Sequence, residues 1–166
     1  MLLGQDGAER RMVLFEDPQC PYCREFEEVS EGVLRGARDG GTLAIEYRMR
    51  CFLGVESVRA ANALALAAEE ERFDELRREL FATQPVEGTG GFTTLDLLAS
   101  GRRVGLTGPG FVSGVEEGRY EAWALGLEEL FRKQDPQGTP AAWLDDRLVD
   151  ARVLYDPDAL AVLLDL

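Results

Sequence analysis

Met12-Val13-Leu14-Phe15-Glu16-Asp17-Pro18-Gln19-Cys20-Pro21-Tyr22-Cys23 is the stretch that decides how this chain reads. Met12 to Phe15 is short, apolar and continuous, the pattern of a strand covered on both faces. Pro21 suits the first turn of a following helix, where its missing N–H costs nothing. Two thiols three positions apart at a strand-to-helix junction close a small disulfide ring and reopen it. A helix N-terminus there stabilises a thiolate on Cys20. That placement, more than Cys-x-x-Cys alone, points to redox chemistry on disulfides. The tetrapeptide by itself is a weak signal, shared with zinc knuckles. A structural disulfide or a buried thiol pair is the competing reading.

Downstream, the spacing predicts a helix to about Arg35, ended by Gly36, Gly40 and Gly41. Leu43, Ile45, Tyr47 and Met49 alternate with Ala44, Glu46 and Arg48, a period-two strand. Residues 56–133 then read as wholly helical. Val58, Ala61, Leu64, Ala65 and Ala68 fall at helical spacing, as do Phe73, Leu76 and Leu80. After a Pro/Gly-rich break from Gln84 to Gly91, Thr93 or Thr94 caps a helix carrying Leu95, Leu97, Leu98 and Val104. Pro109 starts the next, ahead of Phe111, Val112 and Val115. Tyr120, Trp123, Ala124, Leu127, Leu130 and Phe131 mark a strongly amphipathic helix with core-like spacing. Strands return at Ala141–Leu144 and Arg147–Val149, flanking a tight Asp145-Asp146 turn. Asp156-Pro157 caps a last helix bearing Leu160, Leu163 and Leu164.

The 166 residues fit one domain, or one domain with a large insertion, and 45% hydrophobic residues suffice for a core. Net charge is −13, from 31 acidic and 18 basic residues, which argues against nucleic acid or an anionic membrane as partner. The carboxylates read mostly as solvated surface. There is no histidine, so no Ser-His-Asp or Cys-His pair and no imidazole metal ligand. Three cysteines are too few for a disulfide framework or a four-thiolate zinc site, so no metal and no cofactor is expected. No run approaches the roughly 18 apolar residues of a membrane span. Gln5, Asp6, Glu9, Arg10 and Arg11 interrupt any signal-peptide pattern. The expected compartment is cytoplasmic if the chain is native from Met1, and the bacterial envelope if an N-terminal anchor was removed.

Two features together resemble a known family: Asp17 to Cys23 after a buried strand, and Gly138-Thr139-Pro140 before a late strand. Far more chain separates them than a minimal thioredoxin unit needs, and the excess matches the helical block. The chain thus resembles the DsbA-like thiol-disulfide oxidoreductases over nearly its whole length. The resemblance implies an α/β thioredoxin-like fold, with an all-helical insertion between the second strand and the cis-Pro strand. Residues 1–55 and 134–166 would form the core and 56–133 the insertion. It departs from the family at Leu14, where a buried acid is often found six positions before the first cysteine, and at Tyr22, where the best-known members have histidine. Tyr22 supplies no positive charge near neutral pH, which implies a milder oxidant.

The resemblance also assigns roles. Cys20 is the exposed nucleophile at the helix start, helped by Arg24 and opposed by Glu16, Asp17 and Glu25. Cys23, one turn inward, is the less exposed resolving thiol. Pro21 stiffens the ring, and Tyr22 either touches substrate or is a solvent-facing aromatic. Pro140 is either cis, presenting the Thr139 backbone to an extended peptide, or an ordinary strand-start proline. Cys51 reads as an inert core thiol, with a regulatory disulfide as the alternative. The expected activity is disulfide exchange with protein or peptide thiols through a mixed disulfide, as oxidant, with an unidentified redox partner. Reductase or isomerase action, a non-catalytic peptide-binding module and a small zinc protein are the alternatives.

Overall fold

The computed structural model describes residues 1–5, 7–133 and 138–166. Its elements in chain order are β1 (Leu2–Leu3), β2 (Arg10–Glu16), α1 (Pro21–Val29), α2 (Glu31–Asp39), β3 (Leu43–Met49), α3 (Val55–Glu69), α4 (Phe73–Ala82), α5 (Thr94–Arg103), α6 (Pro109–Glu117), α7 (Glu121–Lys133), β4 (Ala141–Leu144), β5 (Arg147–Leu148), α8 (Ala151–Leu154) and α9 (Pro157–Leu163). Residue 134, where the sequence reading returns to the core, lies outside the described residues. Two compact units emerge. One holds the described residues of Met1–Glu16, Tyr22–Arg48 and Pro136–Leu166; the other holds those of Asp17–Pro21 and Met49–Asp135.

The first unit is built on a five-stranded sheet of order β1-β3-β2-β4-β5. Met12 and Leu14 on β2 are fully buried, and they pair with Leu144 and Ala142 of antiparallel β4. Leu43, Ile45 and Tyr47 are buried on β3 while Ala44, Glu46 and Arg48 are half-buried, so the alternation sets the inward face. Asp145 and Asp146 both take positive φ, 48° and 64°, the two-residue turn whose twist matches the flanking strands. Strand β1 is too short for any periodicity to reveal. It exists because Leu2 and Leu3 pair with Glu46 and Ile45.

Sequence spacing predicts one helix after Cys20; the structure has two. Ser30 breaks the run between α1 and α2, and α2 continues through Gly36. A single glycine lowers helix propensity by about 1 kcal/mol, too little to stop a helix with a tertiary partner. Here α2 packs on α9. The end comes at Gly41, φ +82°, where the Gly41 N–H reaches the Arg38 carbonyl and the Thr42 N–H reaches that of Ala37, each at 3.0 Å.

In the second unit α3 is the axis, packed against α4, α5, α6 and α7. Ala60, Ala61, Ala63, Leu64, Leu66 and Ala67 are buried, so α3 hides nearly its whole circumference. Small residues allow the approach: a Cβ on Gly114 of α6 would run into the Leu66 side chain. Buried Asn62 ties the same contact, donating to the Gly114 carbonyl (3.2 Å) and accepting from the Tyr120 N–H (2.7 Å). Thr93, rather than Thr94, caps α5 in a reciprocal box with Asp96. The predicted apolar stripe of α7 is only partly covered. Ala124 and Phe131 are buried, but Trp123 and Leu130 are exposed, and α7 packs on α3. Leu95 of α5 is likewise exposed. Trp143 is half-buried, its ring set edge-on to Phe15.

Candidate functional site

Strand β2 ends at Glu16 and α1 begins at Pro21, so Asp17–Cys20 is a four-residue passage from sheet to helix. Pro21 takes the first helical position, which suits its fixed φ. Cys20 immediately precedes the helix, where unsatisfied N–H groups and the helix dipole favour a negative charge. Cys23 lies in the first turn, fully buried. All three cysteines are present as thiols.

The expectation of an open Cys20 is corrected: the residue is 5% exposed. The passage is also stitched down along its main chain. The Cys20 N–H donates to the Asp17 carbonyl at 2.9 Å, closing a turn. The amide of Gln84 donates to the carbonyls of Pro18 (2.8 Å) and Cys20 (3.0 Å). Buried Gln19 donates to Ser57 Oγ (3.0 Å) and the Leu53 carbonyl (3.2 Å), and accepts from the Gly88 N–H (3.2 Å). Gln84 and Gly88 belong to the stretch that the sequence marks only as a break.

The sequence reading names Asp17 as a charge opposing Cys20, but not its burial at the centre of this network. Asp17 is completely buried, against the reading of the carboxylates as solvated surface. Its Oδ1 accepts from Ser57 Oγ (2.6 Å) and the Gln19 N–H (3.0 Å), and its Oδ2 from the Leu53 N–H (3.3 Å). Burial pushes the carboxyl up to about 6, the three hydrogen bonds pull against that, and the Cys20 charge adds to the rise. An Asp followed by Pro and one further residue is a local turn signal, because Asp accepts from the N–H two residues on. Ser57 carries no such signal, being far off in sequence.

Cys51 joins the same neighbourhood. Burial first, then the Asp17 and Glu128 carboxylates, push its thiol up to about 12, which favours the protonated form near neutral pH. It packs with Val58, Ala61 and Ala124. Beside it, Arg50 binds Glu128 through two contacts of 2.8 and 2.7 Å, and Glu128 also accepts the Cys51 N–H (2.9 Å). Burial opposes ionisation of Glu128, yet these bonds hold its carboxyl below the ordinary range.

In the sheet unit, the Thr139–Pro140 peptide bond is cis. The register pairs Ala141 with Phe15, so Pro140 lies at the end of β2 from which the chain leaves for the cysteines. Tyr22 is 61% exposed, and its carbonyl accepts from the Tyr155 hydroxyl at 3.2 Å. Among the described residues, no three cysteine or acidic side chains converge as metal ligands, and no helix is long and apolar enough to cross a membrane.

A strand-to-helix dithiol together with a cis proline at the mouth of the neighbouring antiparallel strand defines a thioredoxin-fold protein with a helical insertion. The family described as Thioredoxin matches residues 1–165, and the chain belongs to it. No curated protein matches the chain by sequence. Among solved structures, the chain is similar to oxidised BdbD from Bacillus subtilis, with 21% identity over 99% of this chain and 90% of that one, at a TM-score of 0.85. It is also similar to MdbA, a thiol-disulfide oxidoreductase from Actinomyces oris, at 18% identity over 99% and 86% and a TM-score of 0.83. Oxidised DsbA from Mycobacterium tuberculosis shares 24% identity over 98% and 86%, with a TM-score of 0.81. The fold is therefore the DsbA-like one.

Proposed function

We propose that this chain is a thiol-disulfide oxidoreductase that hands a Cys20–Cys23 disulfide to protein or peptide thiols, acting as oxidant. One observation carries the reading: Cys20 stands immediately before α1 and Cys23 lies in its first turn, in a chain of the thioredoxin family. A substrate thiolate attacks Cys20 Sγ, the ring disulfide breaks, and Cys23 leaves with the electron pair. A second substrate thiolate then attacks the substrate sulfur of the mixed disulfide, and Cys20 leaves as thiolate. The substrate loses two electrons and the protein gains them, until a redox partner restores the ring disulfide. The helix N-terminus favours this direction by stabilising the leaving Cys20 thiolate. The reverse reaction, as reductase or isomerase, uses the same sulfurs.

Within this reading, Thr139 and Pro140 offer backbone to an extended peptide at the sheet end, and Tyr22 presents its exposed ring to the same partner. Residues 56–133 act as an insertion on a core of 1–55 and 134–166. Oxidation of a dithiol peptide and reduction of insulin test the proposal. C20S should abolish both, and C23S should trap a mixed disulfide on Cys20. Full activity in C20S would end the assignment.

A further inference from the structure

One bond at the dithiol comes from far along the chain. The Tyr155 hydroxyl donates to the Tyr22 carbonyl at 3.2 Å, across 133 positions of sequence. Tyr155 stands half-buried at the junction of α8 and α9. Leu154 before it is 1% exposed, and Leu160 on α9 is fully buried. Asp156 after it caps α9, accepting from the Asp158 N–H (3.1 Å) and the Ala159 N–H (3.0 Å). The phenol is therefore presented by a backbone with little freedom. A carbonyl oxygen has two lone pairs, so the Tyr22 carbonyl takes this bond in addition to its place in the helix ladder. That carbonyl is half of one peptide group, and the other half is the Cys23 N–H. Cys20 immediately precedes α1, so it holds the capping position and Cys23 is the third helical residue. The N–H at that place in a helix has no partner in the helix ladder and turns to the side chain of the capping residue. A donor on the carbonyl draws electron density through the peptide and makes its N–H a stronger donor.

We propose that Tyr155 is a positioning residue for the dithiol: its hydroxyl fixes and polarises the Tyr22–Cys23 peptide, so that the Cys23 N–H favours the thiolate of Cys20. This role rests on the exchange function proposed above. In the disulfide the Cys20 sulfur is neutral and gains little from such a donor, whereas the thiolate gains most. Two glutathione thiols reduce the ring disulfide to the dithiol and become glutathione disulfide, and Tyr155 draws that equilibrium toward the dithiol. It acts in the same sense as the helix N-terminus, strengthening the chain as an oxidant. The Asp17 carboxylate also bears on the Cys20 charge. It is common to wild type and to each variant below, so it cancels in the comparison.

Y155F in the full chain removes the hydroxyl and keeps the ring. At pH 7 it should shift the glutathione equilibrium toward the disulfide by about two- to threefold relative to wild type. In a C23S background, thiolate absorbance should place the Cys20 midpoint higher in Y155F than with Tyr155 intact. The Cys51 thiol, pushed up to about 12, stays out of that range. A residue that only braced the fold would lower the unfolding midpoint and leave both readouts where they are. Installing 3-fluorotyrosine at position 155 alone supplies a stronger donor of nearly the same shape, and both readouts should then move the opposite way. That variant decides the matter if Y155F does not fold. A natively folded protein of either kind whose glutathione equilibrium and Cys20 midpoint match wild type overturns the proposal. Neither readout depends on a protein substrate. A chain that oxidises no peptide yet shows both shifts loses the exchange function alone, whereas one that oxidises peptides with neither shift loses the Tyr155 role alone.

Discussion

Burying Asp17 has a thermodynamic signature apart from any redox role. Its carboxyl lies at about 6 in the folded chain against an ordinary value of 3.8, so the native state binds that proton more tightly than the unfolded state. Stability from this group is fully present below the ordinary carboxylate value and is lost as pH rises through about 6. The loss is on the order of 3 kcal/mol. Urea unfolding at pH 4 and pH 7 checks it: the stability of wild type relative to D17N should fall across that interval. Parallel profiles for the two proteins would place the burial cost elsewhere. Glu128 behaves in the opposite sense. Its carboxyl is held below the ordinary range, so its contribution is present above that range and lost as pH falls through its lowered folded value. The pair it makes with Arg50 is largely shielded, with 7% of Arg50 and 15% of Glu128 side-chain surface exposed. E128Q leaves the Arg50 charge without its counter-charge and should cost about 3 kcal/mol at pH 7. A double-mutant cycle with R50M should recover part of that loss.

Among the elements, the helical unit depends on how closely α6 approaches α3. Adding a methyl at Gly114 forces it into Leu66, and overpacking of this kind costs about 1–3 kcal/mol. G114A should lower the unfolding midpoint accordingly, and L66A in the same chain should offset some of the strain, a non-additivity that a denaturation cycle detects. The β4–β5 hairpin offers a change of the opposite sign. Asp146 holds φ +64° with a Cβ that this region disfavours, whereas its neighbour Asp145 is repaid by the Arg11 N–H (2.9 Å) and Arg10 Nε (2.6 Å). D146G should therefore stabilise the chain by about 0.5–1 kcal/mol in thermal unfolding. D145G should not, because it discards both bonds.

For the molecule as a whole, the net charge of −13 sets long-range behaviour. A field of that sign draws cationic peptides to the chain and repels anionic ones, and salt screens it. Stopped-flow exchange with a lysine-rich dithiol peptide should slow as ionic strength rises from about 20 mM to about 500 mM, while an acidic peptide should show the reverse trend. Opposite or absent trends would mean that the local field at the cysteines differs in sign from the net charge.

Much of this architecture was legible in the chain. The apolar run before Asp17, the helix start at Pro21, the alternation from Leu43 to Met49, the Asp145-Asp146 turn and the Asp156-Pro157 cap all rest on local chemistry: side-chain period, turn-forming residues and helix starts, whereas the cis bond before Pro140 was implied by the family resemblance. What local chemistry could not convey is which groups lose their water. Strand β1 forms by pairing with β3, α2 runs on past Gly36 and packs on α9, and α7 leaves Trp123 exposed. Asp17 is legible as a charge next to the dithiol, but its burial shows only once Ser57, Gln19 and Leu53 close around it. Burial and charge coupling are properties of neighbours brought together from distant parts of the chain, and only the folded arrangement decides them.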